Sequence, residues 1–380
     1  LGAQLSQHYS AKPASPKSNN DWEDRLGKIK LAALMAVTAL CSATVLQAQD
    51  AAKKPVPKPV TPEIRKHIDA SLKLAAGLPN TRAYVPEIYS LSRAALMTPA
   101  ESTSLLPKST ANRDLLPPTK LFDQLYYFGN GYVGAVVLVT SAGIIQWDTM
   151  DNSKEAQDIL EADYRSVGLD PAQIKYIVLT HGHSDHFGGA AYFKKKYPGL
   201  HVLASQADWN FMAYQARTPG AIKPDRDPPP AKDQVVTDGE KLTLGDTTVS
   251  LYVTPGHTPG SVSSIIKVTD HGTPHVLAMF GGMSFPLHLG PRPNVDGGLD
   301  EQIVQWKRFG AIAKAAGADG VISTHPGFDG MRDIVPKIAT RKAGAPHPMI
   351  MGKDGYDRFY QANLEVGAAI RGEVLLTGGN

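Results

Sequence analysis

One cysteine, Cys41, stands in a chain of 380 residues. It falls in an apolar stretch, Leu31 to Leu46, that Arg25, Lys28 and Lys30 precede and Gln47-Ala48-Gln49-Asp50 follows. This pattern reads as a secretory signal peptide cut after Ala48, and the thiol leaves with it. The mature chain then has no disulfide, no cysteine nucleophile and no thiolate metal ligand. Charge of one sign is lacking too: 39 Lys and Arg face 36 Asp and Glu, a net +3. Lys194-Lys195-Lys196 ends a helical pattern, where cations suit the macrodipole. No basic run is interleaved with aromatic residues, so nucleic acid is not an expected partner. No internal repeat is present. A hydrophobic share of 42% and a charged share of 20% are ordinary globular values, enough for one large domain.

The signal reading places the protein in the periplasm or outside the cell, with membrane contact only in transit. The alternative is a membrane anchor, although the stretch is short and rich in small residues. Lipid attachment at Cys41 is disfavoured by the bulk of Leu40. The polar residues ahead of Asn20 read as a leader before the true start or as a non-native addition. Three regions follow: leader and signal over 1–48, a Pro-rich linker (Lys53 to Pro59) and N-terminal extension over 49–116, and a catalytic domain over 117–380. The extension shows helical patterns over Glu63 to Ala76 and Glu87 to Met97. It serves either as a lid or oligomer contact, or as a cover for one sheet face.

From Val133 onward, strand and helix patterns alternate. Val133 to Thr140 and Gly143 to Asp148 read as a hairpin, Ser153 to Ser166 as an amphipathic helix, and Ile174 to Thr180 as a buried strand. Leu200 to Ala204 is a strand and Ser205 to Tyr214 a helix. Thr218 to Lys232 is a Pro-rich loop long enough to suggest function or mobility. Four strands follow, Leu242 to Leu244, Thr247 to Val253, Ser263 to Val268 and His275 to Phe280. After them come a helix over Leu299 to Ala316 with Ile303, Trp306 and Ile312 inward, a strand over Gly320 to Ser323, and a helix over Gly355 to Arg371.

Chemistry concentrates in Thr180-His181-Gly182-His183-Ser184-Asp185-His186-Phe187-Gly188-Gly189. A buried strand that ends in H-x-H-x-D-H points alternate side chains at one spot, then turns and brings the last ones back to it. Imidazole and carboxylate suit zinc and similar divalent ions. His257, in Thr254-Pro255-Gly256-His257-Thr258-Pro259-Gly260-Ser261, and His325, in Ser323-Thr324-His325-Pro326-Gly327, each close a β-branched run and open a Pro/Gly turn. Both are therefore displayed at strand ends.

These three motifs together resemble the metallo-β-lactamase fold superfamily over about Leu121 to Val335. The resemblance implies an α/β fold, an αβ/βα four-layer sandwich of two mixed β-sheets flanked by helices. It implies six protein ligands for two Zn2+ ions: His181, His183 and His257 for one, Asp185, His186 and His325 for the other. Many relatives place a bridging carboxylate where this chain has Gly282. Without it, the set is similar to the third, cysteine-free subclass of metallo-β-lactamases. That subclass carries two serines in the loop after this strand, of which only Ser284 remains here as a candidate substrate contact.

Three neutral imidazoles leave an ion its full charge and acidify its water, to a pKa of about 7 in carbonic anhydrase. The resulting hydroxide, oriented by Asp185, would open a small cyclic amide of the β-lactam type. A lactonase or esterase is the first alternative and a non-catalytic metal-binding module the second. Asp148 either supports a ligand imidazole from behind or caps the helix near Ser153. Thr258 and Ser261 are expected to stabilise the turn at His257, and His275 and His288 to be satisfied surface groups. Oligomeric state is not readable.

Overall fold

The computed structural model describes residues 61–78 and 113–377. The signal, the linker and the helix expected over Glu87 to Met97 lie outside them. Among the described residues, no helix is long and apolar enough to cross a membrane.

The described residues form twelve strands in two mixed sheets. The first holds β1 (Thr119–Lys120), β2 (Leu125–Gly129), β3 (Gly134–Thr140), β4 (Gly143–Trp147), β5 (Ile174–Val178), β6 (His201–Ser205) and β7 (Gln234–Val236), in chain order. It is antiparallel up to β4 and parallel from there on. The second holds β8 (Glu240–Leu244), β9 (Thr247–Val253), β10 (Val262–Asp270), β11 (Thr273–Met279) and β12 (Gly320–Val321). Only the β11–β12 pair in it is parallel.

The layers follow from alternation along the strands. In β3, Val136 and Leu138 join the core between the sheets, where Val249, Leu251, Ile266 and Leu277 arrive from the other side. Ala135 and Val137 face the opposite way, toward Leu160 and Tyr164 of the helical segment 153–166 and toward Phe193 and Trp209. The second sheet sends Ile265, Ala278 and Phe280 outward against Trp306, Phe309, Phe359 and Val366. The result is helix, sheet, sheet, helix, as expected from the resemblance.

The helices are α1 (Pro62–Ala75), α2 (Ser184–Phe187), α3 (Ala190–Lys196), α4 (Gln206–Arg217), α5 (Leu299–Ala315), α6 (Pro326–Asp329), α7 (Met331–Ala339) and α8 (Gly352–Thr377). The segment 153–166 contains a π turn at Ala156–Leu160. Its cap is Asn152, whose side chain accepts from Glu155 N, so Asp148 does not cap it. In α5 the buried apolar face is Leu299, Trp306, Phe309 and Ala313, while Ile303 and Ile312 are half-buried. Two short strands, β1 and β7, and the fully covered β2 show no alternation to read. Pro336 inside α7 argues against a helix there.

Over residues 61–78 the N-terminal extension packs as a helix against α8. Thr61 caps α1, Pro62 occupies its first turn, and Ile64 joins the core that α8 shares with α5. His67 Nδ1 meets Glu365 at 2.6 Å, and Arg358 donates to the Ala76 carbonyl at 3.0 Å. None of these residues lines the cavity at the histidine cluster.

One half-buried carboxyl outside that cluster yields a stability test. Asp163 accepts from Gly129 N at 3.2 Å, yet burial outweighs this bond and pushes its pKa up to about 7 from an ordinary 3.8. A raised carboxyl pKa means the folded state holds the extra proton. Its contribution is complete below pH 3.8 and is lost as pH rises through about 7. Asp163→Asn keeps the acceptor and cannot ionise. Calorimetry should therefore find the variant's Tm above wild type at pH 8, with the gap shrinking toward pH 4; equal gaps at both would sink the assignment.

Candidate metal centre

Three loops at one end of the sheets build the site. The first follows β5 and carries His181, His183 and, in α2, Asp185 and His186. The second, between β9 and β10, carries His257. The third follows β12 and carries His325 just before α6. Gly188 lets the first loop pack tightly, since a Cβ there would lie 1.9 Å from the Asp151 carbonyl oxygen. The segment after β4 then bonds along the loop, Thr149 N donating to the His186 carbonyl at 2.8 Å.

The structure brings all six sequence-predicted donors together. His181, His183 and His257 form one group and Asp185, His186 and His325 another, each with its ligand atoms within 4.8 Å of one another. The tautomers follow from the partners behind the rings. His181 Nδ1 donates to the Gly281 carbonyl at 2.7 Å, His257 Nδ1 to the Ser284 carbonyl at 2.9 Å, and His325 Nδ1 to the Tyr132 carbonyl at 2.6 Å. His186 Nδ1 donates to Asp148 Oδ2 at 2.6 Å. These acceptors hold the protons on Nδ1 and leave the four Nε2 lone pairs facing inward.

The lone pairs converge closely. His181 Nε2 lies 3.2 Å from His257 Nε2, which lies 3.1 Å from His183 Nδ1. In the other group His186 Nε2 lies 3.0 Å from His325 Nε2. Acceptors this close repel unless a cation sits among them, so this donor set fits two divalent ions. The electrostatics agree. Burial, reinforced by neighbouring imidazoles, holds His181 and His257 well below the usual histidine range, and burial lowers His183 to about 4. Such rings are neutral at pH 7, the form that ligates. His186 is different: burial opposes its charge, but Asp148 and Asp185 outweigh burial and raise it. Asp185 is held well below the carboxylate range, burial being overcome by His186, His325 and Arg226.

Asp148 lies directly behind the site. It leaves β4 with φ of 60° and accepts from Thr180 N at 2.8 Å, Thr180 Oγ1 at 2.6 Å and Thr324 Oγ1 at 2.7 Å besides His186. Gly282 is explained by the ring beside it, because a Cβ there would lie 2.5 Å from His257 Cβ and Cδ2. Ser284 lines the cavity, its Oγ 3.1 Å from His257 Nδ1. Thr258 Oγ1 bonds Asp208 at 2.8 Å and Ser261 Oγ at 2.8 Å, within the turn. His275 pairs with Asp319 at 2.7 Å and His288 with Asp296 at 2.8 Å, both away from the donors.

Four residues of the site carried no sequence signal beyond position. Asp208 accepts from Gly182 N, Thr258 Oγ1 and Gly260 N, and burial raises it to about 6 against those bonds. Gln302 donates to the Gly282 and Ser284 carbonyls at 2.8 and 3.1 Å. Tyr132 Oη donates to Asp185 Oδ2 at 2.7 Å. Arg226 approaches the other oxygen of Asp185 at 3.0 Å; it comes from the Pro-rich loop, whose length was the only hint. The cavity measures about 170 Å³ and is lined by four of the histidines and Asp185, with Tyr132, Ser284, Phe328 and Arg332 around them.

The hydrogen bond from His186 to Asp148 predicts a graded effect. Asp148→Asn should loosen metal held by the Asp185 group by roughly 10–100-fold and that held by the three-histidine group far less. A competitive chelator titration reads both, and unchanged affinities would sink this role for Asp148.

Comparison with known proteins agrees with this geometry. Residues 146–270 match the model of the metallo-β-lactamase superfamily. The N-acyl homoserine lactonase AttM of Agrobacterium fabrum is 30% identical over 128 residues, 33% of this chain and 46% of that protein. A hydroxyacylglutathione hydrolase of Brucella anthropi is 32% identical over 90 residues, 24% of this chain and 28% of that protein. The match thus spans about half, or less, of these curated relatives. Among solved structures, BJP-1, a subclass B3 metallo-β-lactamase of Bradyrhizobium japonicum, superposes with a TM-score of 0.57 and 29% identity, covering 70% of this chain and 96% of that one. Native FEZ-1 from Legionella gormanii gives a TM-score of 0.55 at 18% identity, covering 70% and 96%, a likeness of fold alone. Residues 146–270 thus carry the sequence pattern of the metallo-β-lactamase superfamily, and the architecture is similar to that of the subclass B3 enzyme BJP-1.

Proposed function

We propose that the protein is a two-zinc hydrolase that opens strained cyclic amides, a β-lactamase acting in the periplasm or outside the cell. The observation that carries this reading is the likeness to BJP-1 along 96% of that chain at 29% identity, joined to a donor set free of cysteine. Imidazole and carboxylate donors with no thiolate suit zinc. Bound ions would supply an acidified water and an electrophilic contact for the scissile carbonyl.

The chain's own residues do the rest. Carbonyls 281, 284 and Tyr132's hold three rings in the ligating tautomer, and Asp148 holds the fourth. Tyr132 and Arg226 fix the Asp185 carboxylate, so that it meets its partners without reorganising. Phe328 offers an apolar wall, and Arg332 places a guanidinium beside the cavity, suited to a substrate carboxylate. Ser284 is the polar contact for the substrate on the His257 side. The substrate is a small molecule; the leader and signal segment supplies export.

A second reading, lactone hydrolysis, is favoured by AttM, a lactonase, at 30% identity, and by Gly282 and Ser284 standing where the subclass has two serines. One experiment separates the two: metal content of the purified mature chain, with nitrocefin and carbapenem turnover beside that of N-acyl homoserine lactones. We expect two zinc ions per chain and β-lactam hydrolysis that a chelator abolishes and zinc restores. His183→Ala should fall to background with its circular dichroism unchanged. Turnover of lactones alone would move the protein to the second reading.

A further inference from the structure

Arg226 carries a charge that the proposed chemistry does not need. Its side chain is only 6% exposed. Nη1 lies 3.0 Å from Asp185 Oδ1 and donates to Ser184 Oγ at 3.3 Å, and Nη2 reaches Tyr132 Oη at 3.5 Å. Nε finds no hydrogen-bond partner and faces Asp151 Oδ1 at 3.5 Å. Asp151, itself 2% exposed, is shared with Arg113. Burying a guanidinium with an unsatisfied Nε costs stability.

The loop is tied down on both sides of the arginine. Asn152 Nδ2 donates to the Asp225 carbonyl at 2.9 Å. Asp227 N donates to the Asp151 carbonyl at 3.2 Å, and Asp227 Oδ2 accepts from Ser153 N at 2.8 Å. The backbone on either side of Arg226 is therefore held beside the triad. Asp185 is the one carboxylate among the six donors, and it belongs to the Asp185–His186–His325 triad. A positive charge 3.0 Å from Asp185 Oδ1 offsets the only negative charge among the donors of that triad. No arginine hydrogen-bonds a ring of the His181–His183–His257 triad, and Arg226 reaches that triad only through space, at His183.

We propose that Arg226 is a resident cation of the Asp185–His186–His325 triad that weakens its hold on a second divalent ion, so that the three-histidine triad fills first. This rests on the two-ion reading of the site. A purely structural arginine would act in the opposite sense: removing it would free Asp185 to wander and loosen the second ion. The sign of the change therefore decides.

The experiment is a calorimetric titration of the metal-free full chain with Zn2+, repeated with Co2+ and followed by visible absorption, for wild type, Arg226→Met and Arg226→Lys. Wild type should take two ions, the second roughly tenfold or more weaker than the first. In Arg226→Met the second ion should tighten by roughly tenfold or more, as expected for removing a cation a few ångströms away, with the first little changed. Arg226→Lys keeps the charge and should keep the weak second step. If Arg226→Met does not fold, Arg226→Gln retains a donor to Asp185 without charge and should behave the same way. Equal affinities in wild type, or a second ion unchanged or loosened by loss of the charge, would overturn the proposal. Uptake of a single ion by wild type and variants alike would instead sink the two-ion reading on which it rests.

Discussion

The Asp148 carboxylate takes four hydrogen bonds in a place with no exposure to water. Its donors come from the segment after β5, from the loop after β12 and from His186 in α2. Asp148 itself hangs from the end of β4. One group therefore joins the ends of both sheets to a ring of the metal centre. A buried charge is tolerated only when its lone pairs are met, and here the need to meet them fixes the relative position of three loops.

The same logic repeats on the other side of the cluster. Asp208, on α4, receives the backbone N–H of Gly182 and Gly260 and the hydroxyl of Thr258. Gln215 on the same helix donates to the Gly182 carbonyl at 2.6 Å. The peptide groups flanking Gly182 are thus clamped between two histidines that must converge. Gln302 on α5 does the equivalent for the strand end that carries Gly282. Four of the ligands sit on irregular backbone and two on the short helix α2, and these segments are pinned by side chains from neighbouring elements. This is how irregular backbone can hold a geometry accurate enough for metal chemistry.

The convergence has an electrostatic price. Five imidazoles are packed where burial disfavours their protonation, and four of them have their protons held outward by carbonyl or carboxylate acceptors. Without cations, the inward lone pairs oppose one another at about hydrogen-bond distance. Folding thus creates an array whose internal repulsion a divalent ion relieves. The acidic members, Asp148 behind His186 and Asp185 beside it, bias one half of the array toward positive charge, and Arg226 stands against that bias.

Much of this was readable in the residues alone. H-x-H-x-D-H after a β-branched run is a local device: strand alternation and one tight turn aim four donors with no knowledge of the remaining chain. His257 and His325 declared themselves by the same strand-then-turn context, and the series of strand and helix patterns fitted the layers that the resemblance implied. Short or fully buried strands such as β1, β2 and β7 have no alternation to read, and Pro336 disguised α7. The groups that orient the donors were invisible for a different reason. Tyr132, Asp208, Arg226 and Gln302 lie dozens of residues from the groups they hold and have no motif of their own. The sequence by itself determined which residues are displayed as candidate metal ligands, because strand ends and tight turns are local features of the backbone. Only the tertiary structure decided which tautomer each ring holds, which carboxylate carries a cation and why Gly282 has no side chain, because those depend on contacts between loops that meet only after folding.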